Sequence, residues 1–245
     1  MRRIAWASFP TEVPIPELSP IHVAFLLFPN VTQLDLTGPA QVLSRLGNVR
    51  IDLVAATREP VRTDAGFALL PTATFAEVPH ADILCVPGGF GIDDAIDDMA
   101  TMAWVRAVGA EACWVTSVCT GSLVLAAAGL LTGYRAACHW ASREQLAWFG
   151  AEPVAERVVF DRNRVSGGGV TAGIDFGLAL VAAIRGEDHA RLVQLSLEYD
   201  PQPPFDSGSP ERASAKTRAA YEVLAARMGP ERAERRRAAA DKLSR

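Results

Sequence analysis

Short apolar segments that alternate with helical patterns constrain the fold of this chain most strongly. Four of them are almost uninterrupted, at residues 21–28, 49–55, 82–86 and 113–118. Runs of this length are typical of strands buried on both faces of a sheet. The alternation predicts an α/β fold with a mostly parallel central sheet and helices on both of its faces.

Length and composition agree with a folded protein of this class. The chain has 245 residues, of which 49% are apolar, so it can form a large core. The net charge of −4 disfavours a protein that binds nucleic acid through bulk positive charge. The longest apolar stretch follows Thr171 and contains Asp175 and Arg185, so no membrane span is predicted. We expect a cytoplasmic protein with neither a nucleic-acid partner nor a membrane partner.

Changes in composition divide the chain into three parts. Residues 1–20 are predicted to be a Pro-rich extension with little regular structure, and residues 21–205 an α/β domain. Residues 206–245 are predicted to be a charged helical arm. Its last stretch, 231–245, holds six basic and three acidic residues, which favours a solvated helix or a frayed tail.

Cys119 stands where an apolar strand ends and a helix of small residues begins. Such a sharp turn exposes the side chain and directs helix N–H groups toward it, as in a nucleophile elbow. We therefore expect a lowered thiol pKa. The alternative is a buried cysteine that merely ends a strand, and the pattern leaves both open. Cys85 and Cys113 lie in predicted core strands and are expected to be packing residues.

Two further features follow predicted strands. Asp35 lies between Leu34 and Leu36, and partial desolvation would raise its pKa and suit it to acid–base chemistry. Taken alone, the position favours an ordinary helix N-cap. Gly88 and Gly89 follow the strand at 82–86, and their N–H groups could stabilise negative charge or simply form a tight turn.

His139 could orient Cys119 or titrate near it, although a hydrogen-bonded core histidine is the preferred interpretation. The glycines at 167–169 have the same ambiguity as Gly88 and Gly89. The sequence contains no Cys-x-x-Cys and no His pair four residues apart, so no metal site is predicted. The glycine clusters match neither a phosphate-binding loop nor a dinucleotide fingerprint, so no nucleotide cofactor is predicted.

Several motifs together resemble the DJ-1/PfpI superfamily, over roughly residues 21–200. They are VPGGFG at 86–91, VTSVCTGSLVLAAAGLLTG at 115–133 and HW at 139–140. Four stretches are more narrowly similar to bacterial isocyanide hydratases, namely 25–39, 117–131, 167–176 and 197–210.

The resemblance implies a flavodoxin-like sandwich, a homodimer and an enzyme without cofactors. It implies that Cys119 is the nucleophile and Asp35 its acid–base partner, with a small isocyanide as substrate and a formamide as product. Thr120 matches the residue after the nucleophile, where peptidases of the superfamily carry His. Cys138 replaces the Thr expected before His139. Together with Cys138 and His139, Gly168 and Val170 are expected close to the reacting groups.

Two other functions remain open. One is a glyoxalase-like or deglycase-like enzyme of the same superfamily. The other is a redox or ligand sensor, because sensor domains of AraC-type regulators share VCTG, AGLL and HW. The roughly 40 residues after Asp206 are too few for the DNA-binding domain of such regulators.

Overall fold

The four apolar segments form neighbouring strands at the centre of a seven-stranded sheet. The computed structural model describes residues 19–226 and 231–243, so most of the predicted extension at 1–20 lies outside the described residues. The strands are β1 (Ile21–Leu26), β2 (Val49–Ala55), β3 (Val61–Arg62), β4 (Ala68–Leu69), β5 (Ala73–Thr74), β6 (Ile83–Val86), β7 (Trp114–Val118), β8 (Arg135–Ala136), β9 (Glu152–Pro153), β10 (Val158–Asp161) and β11 (Arg164–Gly167).

The order of strands in the sheet is β10-β11-β7-β6-β1-β2-β5. All pairs are parallel except the hairpin of β10 and β11, which confirms the predicted mostly parallel sheet. The interior strand β1 pairs on both sides, and its Val23 lies opposite Ile51 and Ile83. This strand is buried because both of its edges and faces are covered, as its continuous apolar sequence requires.

The helices form two groups around the sheet. They are α1 (Gln33–Leu43), α2 (Ile92–Asp97), α3 (Met99–Glu111), α4 (Gly121–Ala127), α5 (Ala172–Arg185), α6 (Glu187–Ser196), α7 (Ala215–Ala226) and α8 (Glu231–Leu243), with a 3-10 helix at Arg143–Phe149. Helix α5 packs against α1 and α6, whereas α2 packs against α3, α4 and α8. This arrangement agrees with the predicted flavodoxin-like class.

Some local predictions differ from the structure. The single helix expected at 92–109 is divided at Asp98, whose side chain accepts a hydrogen bond of 2.8 Å from the Thr101 N–H and so begins α3. Helix α6 and the 3-10 helix were not predicted. Cys85 is buried as expected, but Cys113 is exposed, because β7 begins one residue after it.

The prediction that residues 231–245 form a solvated helix or a frayed tail is wrong for the described part, 231–243. Helix α8 is docked on the domain, with Arg236 7% exposed and Ala240 3% exposed. The physical reason is a set of carboxylates on α2 that pair with its arginines. A separate finding is that no helix among the described residues is long and apolar enough to cross a membrane.

The topology brings three loops together at one edge of the sheet. From β1 the chain moves outward to β2 and β5, then returns to the other side of β1 as β6, so the strand order reverses between β1 and β6. Crevices that bind ligands form at such switch points, beyond the carboxyl ends of the strands. A hydrogen bond of 2.9 Å from the Thr32 N–H to the Gly88 carbonyl links the loops after β1 and β6.

Candidate active site

Cys119 occupies the turn between β7 and α4, as the strand-to-helix pattern predicted. Its φ is +57°, in the left-handed region that residues with a Cβ rarely adopt. Its N–H donates a hydrogen bond of 3.0 Å to the Gly167 carbonyl. The side chain is only 6% exposed and lies on the wall of a cavity. Strained backbone of this kind concentrates at functional sites.

Two glycines allow the turn to approach the neighbouring strand. A Cβ on Gly121 would stand 2.1 Å from the Val86 carbonyl oxygen. A Cβ on Gly88 would stand 2.6 Å from the Thr120 nitrogen and 2.9 Å from Asp35 Oδ2. Since real Cβ atoms do not come so close to backbone atoms, this geometry requires glycine at both positions.

Asp35 lies in the first turn of α1 and is completely buried. The N-cap of that helix is Thr32, so the N-cap role favoured for Asp35 from its position alone is wrong. The carboxyl instead points toward the loop after β6, where Oδ2 accepts a hydrogen bond of 2.9 Å from the Gly88 N–H. Its other oxygen, Oδ1, has no hydrogen-bond partner among the described residues.

Burial raises the pKa of Asp35 to about 7. Hydrogen bonds from the Gly88 N–H and the Cys119 side chain lower this pKa in part, while the charge of Asp64 raises it further. A carboxyl that titrates near neutral pH can both take up and release a proton under ordinary conditions. The desolvation inferred from Leu34 and Leu36 is therefore present, and its main cause is the tertiary environment.

The expected lowering of the Cys119 thiol pKa is wrong. Burial raises this pKa well above its usual value, and the charges of Asp35 and Cys138 raise it further. The Thr120 N–H and hydroxyl act in the opposite direction without reversing the shift. The physical reason is that water is almost excluded from the sulfur and a carboxylate lies near it, which outweighs the hydrogen bonds from Thr120.

The N–H groups of both glycines after β6 are engaged by side chains of the protein. Gly88 donates to Asp35, and the Gly89 N–H donates a hydrogen bond of 3.1 Å to Thr120 Oγ1. Gly89 has φ of +143°, which favours glycine. These two bonds tie Asp35 and Thr120, which flank Cys119, to the loop after β6.

The remaining predicted residues lie around this network. The His139 ring lies on the cavity wall, and burial lowers its pKa. Cys138 is buried, and desolvation raises its thiol pKa to about 12. The Gly168 N–H donates to the Arg157 carbonyl, and a Cβ added to Gly168 would stand 3.8 Å from the Cys138 carbonyl oxygen. Val170 lies on the cavity wall together with Cys119.

The cavity has a volume of about 810 Å³ and is partly formed by residues that the sequence reasoning missed. Tyr221 and Leu224 of α7 and Arg232 and Arg236 of α8 line it together with residues of the loops after the strands. The sequence signal for the docking of α8 is charge, because the basic segment after residue 230 complements the acidic residues at 93–97. Within the described residues, no group of His, Cys, Asp and Glu side chains could hold a metal ion.

Comparison with known proteins relates this site to a family. The chain is 53% identical over 193 residues to the isonitrile hydratase of Pseudomonas putida, covering 79% of this chain and 85% of that protein. It is 29% identical over 188 residues to the HTH-type transcriptional regulator GbdR of Pseudomonas aeruginosa, covering 73% of this chain and 50% of the regulator.

A solved structure extends the similarity to nearly the whole chain. A ThiJ/PfpI family protein from Pseudomonas syringae matches with a TM-score of 0.87 and 43% identity, covering 97% of each chain. The family described as DJ-1/PfpI matches residues 21–183, which contain the whole sheet and all of the loops around Cys119. Sequence, fold and family match agree that this chain belongs to the DJ-1/PfpI family.

Proposed function

We propose that this protein is an isocyanide hydratase, which adds water to the terminal carbon of R–N≡C and releases the formamide R–NH–CHO. The observation that carries the proposal is the buried pair of Asp35 and Cys119 beside the cavity. The 53% identity to an isonitrile hydratase over most of the chain supports the same reaction.

The first step begins with proton transfer from the Cys119 thiol to the Asp35 carboxylate. The sulfur then bonds to the terminal carbon of the isocyanide, and Asp35 returns the proton to that carbon. The product is a thioimidate, R–N=CH–S–Cys119, and Asp35 is again a carboxylate. The raised pKa of Asp35, about 7, makes it a strong enough base to receive the proton and a strong enough acid to return it.

The second step adds water to the thioimidate carbon. Asp35 takes a proton from the water as the water oxygen bonds to the carbon, and Asp35 then passes that proton to the nitrogen. The tetrahedral adduct R–NH–CH(OH)–S–Cys119 then loses its hydroxyl proton to Asp35 as the carbon–sulfur bond breaks. The formamide leaves, and the proton returns from Asp35 to the sulfur.

Other residues hold the reacting groups in position. We assign Thr120 to the sulfur, because its N–H and hydroxyl lower the pKa of the thiol and thus favour the leaving thiolate. Gly88 and Gly89 position Asp35 and Thr120 through their N–H groups. His139, Cys138, Gly168 and Val170 shape the surroundings. This scheme uses the thiol, the carboxyl and water, without a metal or another cofactor.

Product analysis with purified protein tests the function. The wild-type protein is incubated with aliphatic and aromatic isocyanides, and formamides are measured by NMR or mass spectrometry. We expect Cys119→Ala to abolish formamide production. Cys113→Ser is the matched control, because Cys113 is the exposed cysteine and should have no role. Full activity of the Cys119→Ala protein would disprove the covalent mechanism.

A sensor function is the second candidate, because of the similarity to a transcriptional regulator. It predicts stoichiometric oxidation or ligand binding at Cys119 with no formamide formed from any isocyanide. Loss of methylglyoxal in a parallel assay would instead favour the glyoxalase-like alternative. The three functions therefore give different results with the same purified protein.

We further propose a cytoplasmic homodimer, in which residues 21–205 form the domain, 1–20 the extension and 206–245 the arm. The four cysteines are free thiols, which fits a reducing compartment. Light scattering of the purified protein should give a mass near twice 26.2 kDa. A mass of one chain at working concentration would reject the dimer.

A further inference from the structure

We propose that helices α7 and α8 form the substituent-binding wall of the active-site cavity, and that Leu224 and Tyr221 select isocyanides by the size of the group on nitrogen. This inference rests on the proposed function and deepens it by naming the substrate class. The wall is defined as the residues of α7 and α8 that line the cavity: Tyr221, Leu224, Ala225, Glu231, Arg232, Ala233, Arg235 and Arg236.

The wall is anchored to the domain by a buried carboxylate. Asp93 is 3% exposed, and the Arg236 guanidinium donates to both of its oxygens, at 2.6 and 3.0 Å. Arg232 donates to the same carboxyl at 2.6 Å and also to the Phe90 carbonyl. Such paired, bidentate bonds fix orientation as well as position. The cavity face of α8 therefore has a defined place on the cavity that Cys119 also lines.

Tyr221 anchors the other helix of the wall. Its ring lies 4.7 Å from the Trp140 ring and 6.2 Å from the His139 ring, between centroids. His139 and Cys119 line the same cavity as Tyr221. The aromatic cluster thus connects α7 with the loop that carries His139, and Tyr221 and His139 both line the cavity that Cys119 lines.

The charges on the wall indicate which substituents fit. Arg232, Arg235 and Arg236 are each paired with aspartates of α2, so these guanidinium groups are neutralised. Glu231, the remaining charged residue of the wall, is exposed to solvent, and its carboxylate disfavours an anionic substituent. Apolar side chains supply much of the remaining lining, including Phe90, Val170 and Leu224. A cavity of about 810 Å³ is far larger than a methyl isocyanide requires. We infer a neutral, apolar substituent of aryl or branched-alkyl size.

A pair of neighbouring substitutions tests the wall. Leu224 and Val223 are adjacent on α7 and equally exposed, at 59% and 60%, but of the two only Leu224 lines the cavity. We compare Leu224→Trp with Val223→Trp. For a 2,6-dimethylphenyl isocyanide we expect Leu224→Trp to lower kcat/KM by at least about tenfold, since a steric misfit in an apolar pocket has this magnitude. For methyl isocyanide we expect Leu224→Trp to lower kcat/KM less than it does for the bulky substrate, whereas Val223→Trp should change kcat/KM within about twofold for both substrates.

If both tryptophan variants gave the same ratio of kcat/KM for the bulky and the small isocyanide, the proposal that α7 and α8 bind the substituent would be wrong. A second measurement separates this failure from failure of the proposed function. Alkylation of Cys119 by iodoacetamide and by a bulky N-aryl iodoacetamide, followed by mass spectrometry of the Cys119 peptide, needs no isocyanide turnover. We expect Leu224→Trp to slow only the bulky reagent, and Val223→Trp to slow neither. If the wild type forms no formamide, the proposed function fails, and the alkylation ratio still decides whether the wall exists.

Discussion

Asp35 and Cys119 shift each other's proton affinity in opposite directions. The charge of Asp35 adds to burial in raising the pKa of the Cys119 thiol, whereas the Cys119 side chain lowers the pKa that burial raises in Asp35. Both effects favour a proton on sulfur beside an ionised carboxylate. The nucleophile is therefore formed by proton transfer to Asp35 as the substrate reacts.

Replacing Asp35 by Asn should separate activity from thiol reactivity. We expect kcat to fall by about 10²–10⁴-fold, because the proton acceptor is lost. The thiol pKa should decrease, because the charge of Asp35 raises it in the wild type. The pH dependence of Cys119 alkylation measures that shift. An unchanged kcat would remove Asp35 from the mechanism.

The activity should depend on pH through Asp35. Its pKa is about 7, so the carboxyl is mostly protonated at pH 6 and mostly ionised at pH 8. Since the first step needs the carboxylate as base, we expect kcat/KM to rise with pH through a midpoint near 7. A pH series in constant ionic strength checks this, and a flat profile between pH 5.5 and 8.5 would contradict it.

The same carboxyl should make the protein less stable as pH rises. The folded pKa of about 7 exceeds the ordinary value of 3.8, so the native state binds the proton more tightly than the unfolded state does. The free energy of unfolding should therefore decrease between pH ~4 and ~7 from this group. Asp35→Asn should remove that loss, on the order of 4 kcal/mol at pH 8. Denaturant unfolding of both proteins at pH 5 and pH 8 should show about 3 kcal/mol of this loss, because about 2 of the roughly 3 pKa units lie in that interval.

Gly88 should not accept even one methyl group. In Gly88→Ala the new Cβ would stand 2.6 Å from the Thr120 nitrogen and 2.9 Å from Asp35 Oδ2. We expect a loss of about 1–3 kcal/mol in unfolding free energy, together with a strong loss of activity. Gly169→Ala is the control, because no atom lies within 4 Å of its added Cβ. Equal effects of the two substitutions would contradict this interpretation.

Asp93 should hold helix α8 in place. Its pKa is lowered: burial alone would raise it, but Arg236 and Arg232 outweigh that effect. Asp93→Asn leaves two guanidinium groups with a weaker partner, and we expect a loss of up to about 3–5 kcal/mol. The control Asp94→Asn removes an exposed pair with Arg235 and should cost within about 1 kcal/mol.

Acid should release the same contact. A lowered pKa means that Asp93 contributes stability above its unfolded pKa and loses this contribution as pH falls through its folded pKa. We therefore expect proteolysis of α8 to begin only in acid for the wild type. For Asp93→Asn it should begin already at neutral pH. Equal protection of α8 in both proteins at pH 7 would exclude the anchoring role.

The sequence alone was sufficient for the central sheet and for the turn at Cys119. The continuous apolar sequences at 49–55 and 113–118 indicate buried strands without any information from the rest of the chain. The observed β2 and β7 lie within one residue of these ranges. The glycines that allow close approach at Gly88 and Gly121 are also readable locally, because only glycine removes the Cβ. Helix α6 was not predicted, and only Gly186 separates it from α5.

Only the tertiary structure decided the protonation of the site and the boundary of the cavity. The pKa values of Asp35 and Cys119 depend on how completely the surrounding segments exclude water from the two groups, and the local sequence does not reveal this. The docking of α8 joins Arg236 to Asp93 across 143 residues, and charge pattern alone did not predict it. Local periodicity thus determined the central strands, several of the helices and the cysteine turn, whereas contacts between distant segments determined the electrostatics around the thiol and the part of the cavity wall that α7 and α8 form.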